Sequence, residues 1–385
     1  LEPAAVEEIK LPRVLNKEIL LLAGLSLAAC GVFLFTKQMA ARAQQLDAKV
    51  AGLWYERGVQ SMQSGDTAKA LEAFRKATSN IGDNEKYQLA LADALIAGNH
   101  DAEADQLLLR LRESNPGNTG INTRLARLAA KQGLVQEAVH YYQSALYSNW
   151  APAQSDERRK LRIEFIRYLL AHQQRDLAVS ELLVLQGRTP NTAAAHIETA
   201  KMFIEADDPA HALDEYSEAV QLDGKNVDAL NEAGETAFQT GDYAKAEQYL
   251  RAALNVDPES TKSSRLLELT EAVQNEDPLA PQISPAERQK RLLAAFAETQ
   301  SRLDNCLSRT AEEKASAQLK SLKDEAVAME TKFKSPAYPP DSDAVRSGVG
   351  LIFKMQQTVS GYCGKPALDD EALLLIGRRH NGERP

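Results

Sequence analysis

The chain has 385 residues, 44% of them hydrophobic and 26% charged, which suits two or three folded domains and excludes wholesale disorder. Aromatic residues are sparse at 6%, and alanine and leucine crowd the sequence, which favours helix over strand. Lysine and arginine total 45 against 54 aspartates and glutamates; the net charge of −9 argues against a general nucleic-acid-binding surface, and three cysteines exclude a four-cysteine zinc site.

Residues 1–18 read as a cytoplasmic lead-in, on a chain that starts at Leu1 rather than Met and is therefore expected to lack its native start. Ile19 to Phe35 follows without a charge or a proline. At 1.5 Å per residue the stretch covers about 25 Å, the short end of a membrane span, and residues 19–36 are assigned to one transmembrane helix. Lys10, Arg13 and Lys17 precede it and Lys37, Arg42 and Lys49 follow, so the basic flanks are nearly balanced. No second long apolar run exists, which predicts a single span carrying one large soluble portion. A competing reading lies in Leu27-Ala28-Ala29-Cys30, which resembles a lipobox and would make Cys30 a lipidation site after signal cleavage. Against cleavage, the apolar run continues to Phe35. A buried soluble helix is the third reading. Residues 37–50 contain no proline or glycine and predict a helical connector.

From residue 51 to 260 a pattern repeats six times. Ala70, Ala104, Ala138, Ala178, Ala212 and Ala246 are separated by 34, 34, 40, 34 and 34 residues. Four residues after each stand Phe74, Leu108, Tyr142, Leu182, Tyr216 and Leu250; three further on, Ala77, Leu111, Ala145, Leu185, Ala219 and Ala253. Turn residues lie before each alanine: Gly65-Asp66, Gly98-Asn99, Gly133, Asp207-Asp208-Pro209 and Gly241-Asp242, with Gln173-Gln174 in the fourth unit. This phase resembles the tetratricopeptide repeat (TPR), most closely at Trp54, Gly58, Gly65-Asp66, Ala70, Phe74 and Ala77 and again at Gly234, Gly241-Asp242-Tyr243, Ala246, Leu250, Ala253 and Pro258. The resemblance implies stacked helical hairpins in a superhelix, because one hairpin cannot bury its own apolar stripe. The six-residue surplus around Trp150–Gln154 reads as a longer inter-repeat loop, and residues 261–275 as a capping helix.

Residues 276–284 read as a linker, and 285–364 as a three-helix antiparallel module with apolar positions spaced alternately by four and three. Ser284-Pro285 with Glu287 opens its first helix, Thr310 with Glu313 offers a capping box for the second, and Ser335-Pro336 to Pro340 separates the second from the third. Residues 365–385 read as a tail with a short helix over Leu373 to Ile376 and a basic, frayed end. The up-down-up order brings Cys306 and Cys363 to one end of the module and predicts a disulfide between them; two buried thiols are the alternative.

No phosphate loop, dinucleotide glycine turn, HExxH or CxxCH motif is present. The six histidines (100, 140, 172, 196, 211 and 380) fall in different repeats or in the tail and read as solvated or half-buried helix residues, and the carboxylates as solvent-facing or capping groups. No catalytic residue, cofactor or metal is implied. In TPR proteins the first helices of the hairpins build the concave wall. Carried onto this sequence, that places Tyr55, Arg124, Arg127, Lys131, Lys160, Arg167, Lys201 and Asn231 in a partner-binding groove with a basic middle, suited to an acidic segment; the alternative is a set of charges that pair with one another.

The expectation is an all-α protein: one N-terminal transmembrane helix, a TPR superhelix and a C-terminal helical bundle. Its function would be non-enzymatic scaffolding of protein partners, such as other subunits of a membrane or envelope complex, at the periplasmic face of a bacterial inner membrane. Two other readings stay open: a lipidated assembly factor or pilotin held through Cys30, and a cytosol-facing receptor.

Overall fold

The computed structural model describes residues 13–310, 312–335 and 341–382. Lys10 and the Pro336–Pro340 break lie outside them. Every regular element among the described residues is helical. The chain divides into two compact units at Leu161 and Arg162, within one helix.

In the first unit α1 (Arg13–Gln63) pairs with α2 (Thr67–Asn80), α3 (Glu85–Ala97) with α4 (Asp101–Ser114), and α5 (Thr119–Lys131) with α6 (Val135–Leu146). The apolar stretch expected to span a membrane, the connector and the first helix of the first hairpin thus lie on one unbroken helix of 51 residues. The surplus before the fourth hairpin is only partly loop. A short 3-10 turn (Pro152–Gln154) takes some of it, and α7 (Ser155–Ala171), at 17 residues against 13 in α5, takes the rest.

The second unit continues with α8 (Arg175–Gln186), the α9 (Ala193–Glu205) and α10 (Pro209–Leu222) hairpin, and the α11 (Val227–Gln239) and α12 (Tyr243–Val256) hairpin, followed by α13 (Thr261–Glu276). The C-terminal bundle is α14 (Pro285–Arg309), α15 (Glu313–Lys334), α16 (Ser342–Cys363) and α17 (Leu368–His380).

The hairpins are built by a turn that repeats as strictly as the alanines. Gly65, Asn99, Gly133, Gln173, Asp207 and Gly241 all take a left-handed backbone, with φ between 58° and 78°. Their spacing is again 34, 34, 40, 34 and 34. In each turn the next amide donates back across the helix end, from Asp66 to Ser61 O through Asp242 to Ala237 O, at 2.8–2.9 Å. The fourth hairpin therefore keeps the turn without its glycine, and Gln173 bears the steric cost of the left-handed conformation. Side chains of Asp66, Asp208 and Asp242 then cap the helices that follow.

All six signature alanines are fully buried, and Phe74, Leu108, Tyr142, Leu182, Tyr216 and Leu250 are buried beside them. Where the larger residue needs room, the facing helix carries glycine: a Cβ on Gly58 would come within 2.4 Å of the Phe74 ring, and one on Gly234 within 2.8 Å of Leu250.

Three features of the C-terminal half differ from the sequence expectation. The 276–284 segment does not separate two modules. Asp277 is buried, accepts from His380 Nε2 at 3.1 Å, and closes α13, while Tyr243, Leu269 and Val273 share one core with α14–α17. The tail is a fourth bundle helix rather than a frayed end: Leu373, Leu375 and Ile376 are buried, and Gly377 lets α17 approach Phe353. Thr310 does not cap α15. It closes α14 by donating to Cys306 O, and Glu312 stands at the start of α15.

Candidate functional site

Each residue assigned to the groove sits on a first helix, but most of them are engaged with the neighbouring hairpin. Tyr55 on α1 packs against Phe74 and against Tyr87 of α3, with ring centroids 5.8 and 5.1 Å apart, and Lys86 Nζ lies 4.5 Å above its ring. Arg124 on α5 donates through Nε and Nη2 to both oxygens of Asp93 on α3, each at 2.7 Å. Lys131 is at the far end of α5, where it donates to Asn99 and to Asp101 of the preceding turn at 2.9 and 2.8 Å. Arg127 lies one helical turn from Arg124, on the same helix.

The second unit repeats the device. Arg167 on α7 reaches Glu198 on α9 at 3.2 Å, and Lys262 on α13 reaches Glu235 on α11 at 2.5 Å, a contact that also raises the lysine pKa. Asn231 Oδ1 accepts from Ser263 of α13 at 2.7 Å. Asp93 to Arg124 and Arg167 to Glu198 are the same two positions of consecutive repeats, 31 residues apart, with the charges exchanged. In each unit such a pair ties first helix to first helix. At these exposures each pair contributes at most about 1 kcal/mol. Lys160 and Lys201 are exposed and form no ion pair among the described residues, and Arg167 remains 63% exposed despite its partner.

A second column is buried and was not legible as charge pairing. Arg162 on α7 pairs with Glu181 on α8. One repeat on, His196 Nδ1 lies 2.9 Å from Glu215. The positions are equivalent, 34 residues apart in both members, and all four side chains are nearly or fully buried. These carboxylates are therefore neither solvent-facing nor caps, and His196 is half-buried, one of the two states expected of the histidines. Reading the repeats in columns would have found them, because an arginine or histidine recurs opposite a glutamate at the repeat period.

In the bundle, Arg302 is the centre of a third set of contacts. Its guanidinium bonds to Gln356, to Ser360 Oγ at 3.1 Å and to Gly364 O at 3.1 Å, and lies 3.3 Å from Asp370. Gln356 Nε2 in turn donates to Asp370 at 2.7 Å and to Thr299 at 3.1 Å. Beside it, Cys306 and Cys363 form a disulfide with Cα atoms 5.6 Å apart. Cys30 is a free, exposed thiol on α1.

A cavity of about 570 Å³ lies where the sixth hairpin turn meets α13 and the 277–283 segment, lined among others by Tyr243, Val273, Ile283, Arg291 and Arg379. The Tyr243 hydroxyl is buried without a hydrogen-bond partner, burial pushes its pKa up, and Arg379 stacks 5.4 Å from its ring. Residues this far apart in sequence left no local signal for the cavity. No group of carboxylate, histidine or cysteine side chains among the described residues could hold a metal ion.

Residues 61–131 and 203–269 match the family model described as tetratricopeptide repeat. No curated protein sequence matches the chain significantly. Solved structures similar to it include YrrB, a TPR protein with an unusual peptide-binding site, at 18% identity over 51% of this chain and 97% of that one, TM-score 0.38. Pseudomonas aeruginosa pilF is 17% identical over 57% and 96%, TM-score 0.38. The C-terminal part of a TPR repeat-containing protein from Cytophaga hutchinsonii is 17% identical over 61% and 97%, TM-score 0.42. Likeness at this level carries no argument about partners.

Proposed function

We propose, for a chain that is a tetratricopeptide-repeat protein, the role of a membrane-anchored scaffold that holds partner proteins at the periplasmic face of a bacterial inner membrane. Repeats of this family imply protein–protein interaction, and their fold is typical of scaffolds without catalysis. The observation that carries the anchor is the exposure of α1. Every residue from Ile19 to Phe35 is solvent-exposed, so 17 uncharged residues find no cover among the described residues, and the helix runs unbroken from them into the first hairpin. The periplasmic side is supported by the Cys306–Cys363 disulfide, which persists in an oxidising compartment. A lipidated protein anchored through Cys30 is the second reading, favoured by the exposed thiol inside the lipobox-like Leu27–Cys30 stretch.

The partner surface in this reading is the set of first-helix faces. In the first unit, exposed Lys160 offers positive charge to an acidic segment, while Tyr55, Arg124 and Lys131 are engaged with neighbouring helices and Arg127 shares a helix with Arg124; in the second unit, exposed Lys201 and the largely exposed Arg167 offer it, while Asn231 is held by Ser263. A chain lacking residues 1–36 is expected in the soluble fraction. Retention of that truncation on membranes after a high-salt wash, or release of the full chain by salt alone, would contradict the anchor.

A further inference from the structure

Between Lys37 and Val50 the apolar side chains larger than alanine are Met39, Leu46 and Val50, and all three are exposed, by 51, 63 and 39%. With Ala43 between them and Leu53 beyond, exposed by 61%, they are spaced 4, 3, 4 and 3. On a straight helix these five positions share an arc of roughly 80°. Ala51 and Gly58, which are buried in the first hairpin, project roughly 100–120° away from the centre of that arc. The stripe is thus a seam on the face of α1 that the hairpin leaves clear. Thr36 continues it toward the N-terminus with its hydroxyl turned back to Phe33 O at 2.9 Å, and Val32, Ala29, Leu25 and Leu22 extend the same phase.

A seam of period 3.5 needs a second helix of the same period. Charge identifies it as another copy of this chain, parallel and in register. With Met39, Leu46 and Leu53 at one core position of the heptad and Ala43 and Val50 at the other, Arg42 flanks the seam on one side and Asp47 on the opposite side, five residues on. In a parallel pair those two flanking positions meet across the interface, so Arg42 of each copy faces Asp47 of the other twice by symmetry. An antiparallel pair would oppose like charges. We propose that α1 forms a parallel homodimeric coiled coil over residues 36–53, presenting two repeat domains side by side. The seam stands whether or not residues 19–36 cross a membrane. A dimer doubles the repeat surface offered to one partner assembly, which raises avidity without any new contact.

Oxidative cross-linking of the full chain in a Cys30→Ser background tests this. Leu46→Cys, on the seam, is expected to yield a species of twice the 42.2 kDa chain, and Ala48→Cys, on the outer face, several-fold less under the same oxidation. Arg42→Asp should lower the Leu46→Cys dimer several-fold, and adding Asp47→Arg should restore it. Equal cross-linking at both positions, or none at either, would overturn the dimer. Cross-linking at residue 46 that ignores the charge reversal would overturn the parallel register.

Discussion

The hairpins and the C-terminal bundle bury helix faces by different means. In the hairpins the decisive contacts are short in sequence and recur: a buried alanine, a larger residue four positions later, and a left-handed turn residue, all at the repeat spacing. In the bundle they occur once and are long in sequence. Arg302 reaches Gln356, Ser360 and Gly364 across 54 to 62 residues, and the disulfide closes a separation of 57. A repeat array stabilised between nearest neighbours loses stability locally when one hairpin is weakened. A bundle tied by a few distant contacts loses it as a unit.

The largest test of that contrast is the disulfide. Replacing Cys306 and Cys363 together by serine should cost about 4 kcal/mol on the loop-entropy account. Hydrogen exchange should show the loss in α14–α17 and in the last repeat that shares their core, with protection of α3–α6 unchanged. Loss of protection throughout would break the comparison.

Next comes a pair of substitutions on one helix. Gly58→Ala drives a methyl into the Phe74 ring and should destabilise the first hairpin by about 1–3 kcal/mol. At Gly52 the nearest atom to a Cβ is Tyr87 Oη at 3.9 Å, so Gly52→Ala should instead gain about 1 kcal/mol of helix propensity. Urea midpoints moving in opposite directions are the expected result.

Gln173→Gly sharpens the repeat side. It relieves a left-handed residue at a position that three of the six turns fill with glycine at no steric cost, and should stabilise the fourth hairpin by about 1 kcal/mol. A neutral or negative change would mean that the glutamine side chain compensates for its backbone.

A further test needs a pH series. Burial, reinforced by Glu298, Asp369 and Asp370, pushes the Glu276 carboxyl up from 4.5 to about 8, and its Oε2 has no hydrogen-bond partner. The folded state therefore keeps a proton that the unfolded chain releases. Stability from this group is complete below about pH 4.5 and is lost as the pH rises through 8. Glu276→Gln should flatten that decline; Glu298, raised by burial and by the same two aspartates, leaves a weaker slope of the same sign.

The same contrast explains what the sequence disclosed. A repeated contact shows itself as a period, so the six alanines, their partners four residues on and the turn positions could be read before any coordinates. Gln173 shows how far the period reaches, since it takes the turn geometry its neighbours dictate. Contacts made once leave no period. Nothing in the 276–284 segment signals that Asp277 will meet His380, 103 residues away, and the same distance hides α17 as a core helix. The groove residues were placed on the right helices by the period, but their ion pairs depend on which charge stands one repeat further on. Asp93 with Arg124 and Arg167 with Glu198 emerge only when two columns are read together.

The anchored, periplasm-facing scaffold is tested most directly by which side of the membrane the repeats occupy. Glu259 lies exposed in the turn between α12 and α13. In a Cys30→Ser background, Glu259→Cys should react with a maleimide that crosses the outer but not the inner membrane of intact cells. The Cys306–Cys363 pair, held as a disulfide, should stay unlabelled. Labelling of residue 259 only after the inner membrane is broken would contradict the account.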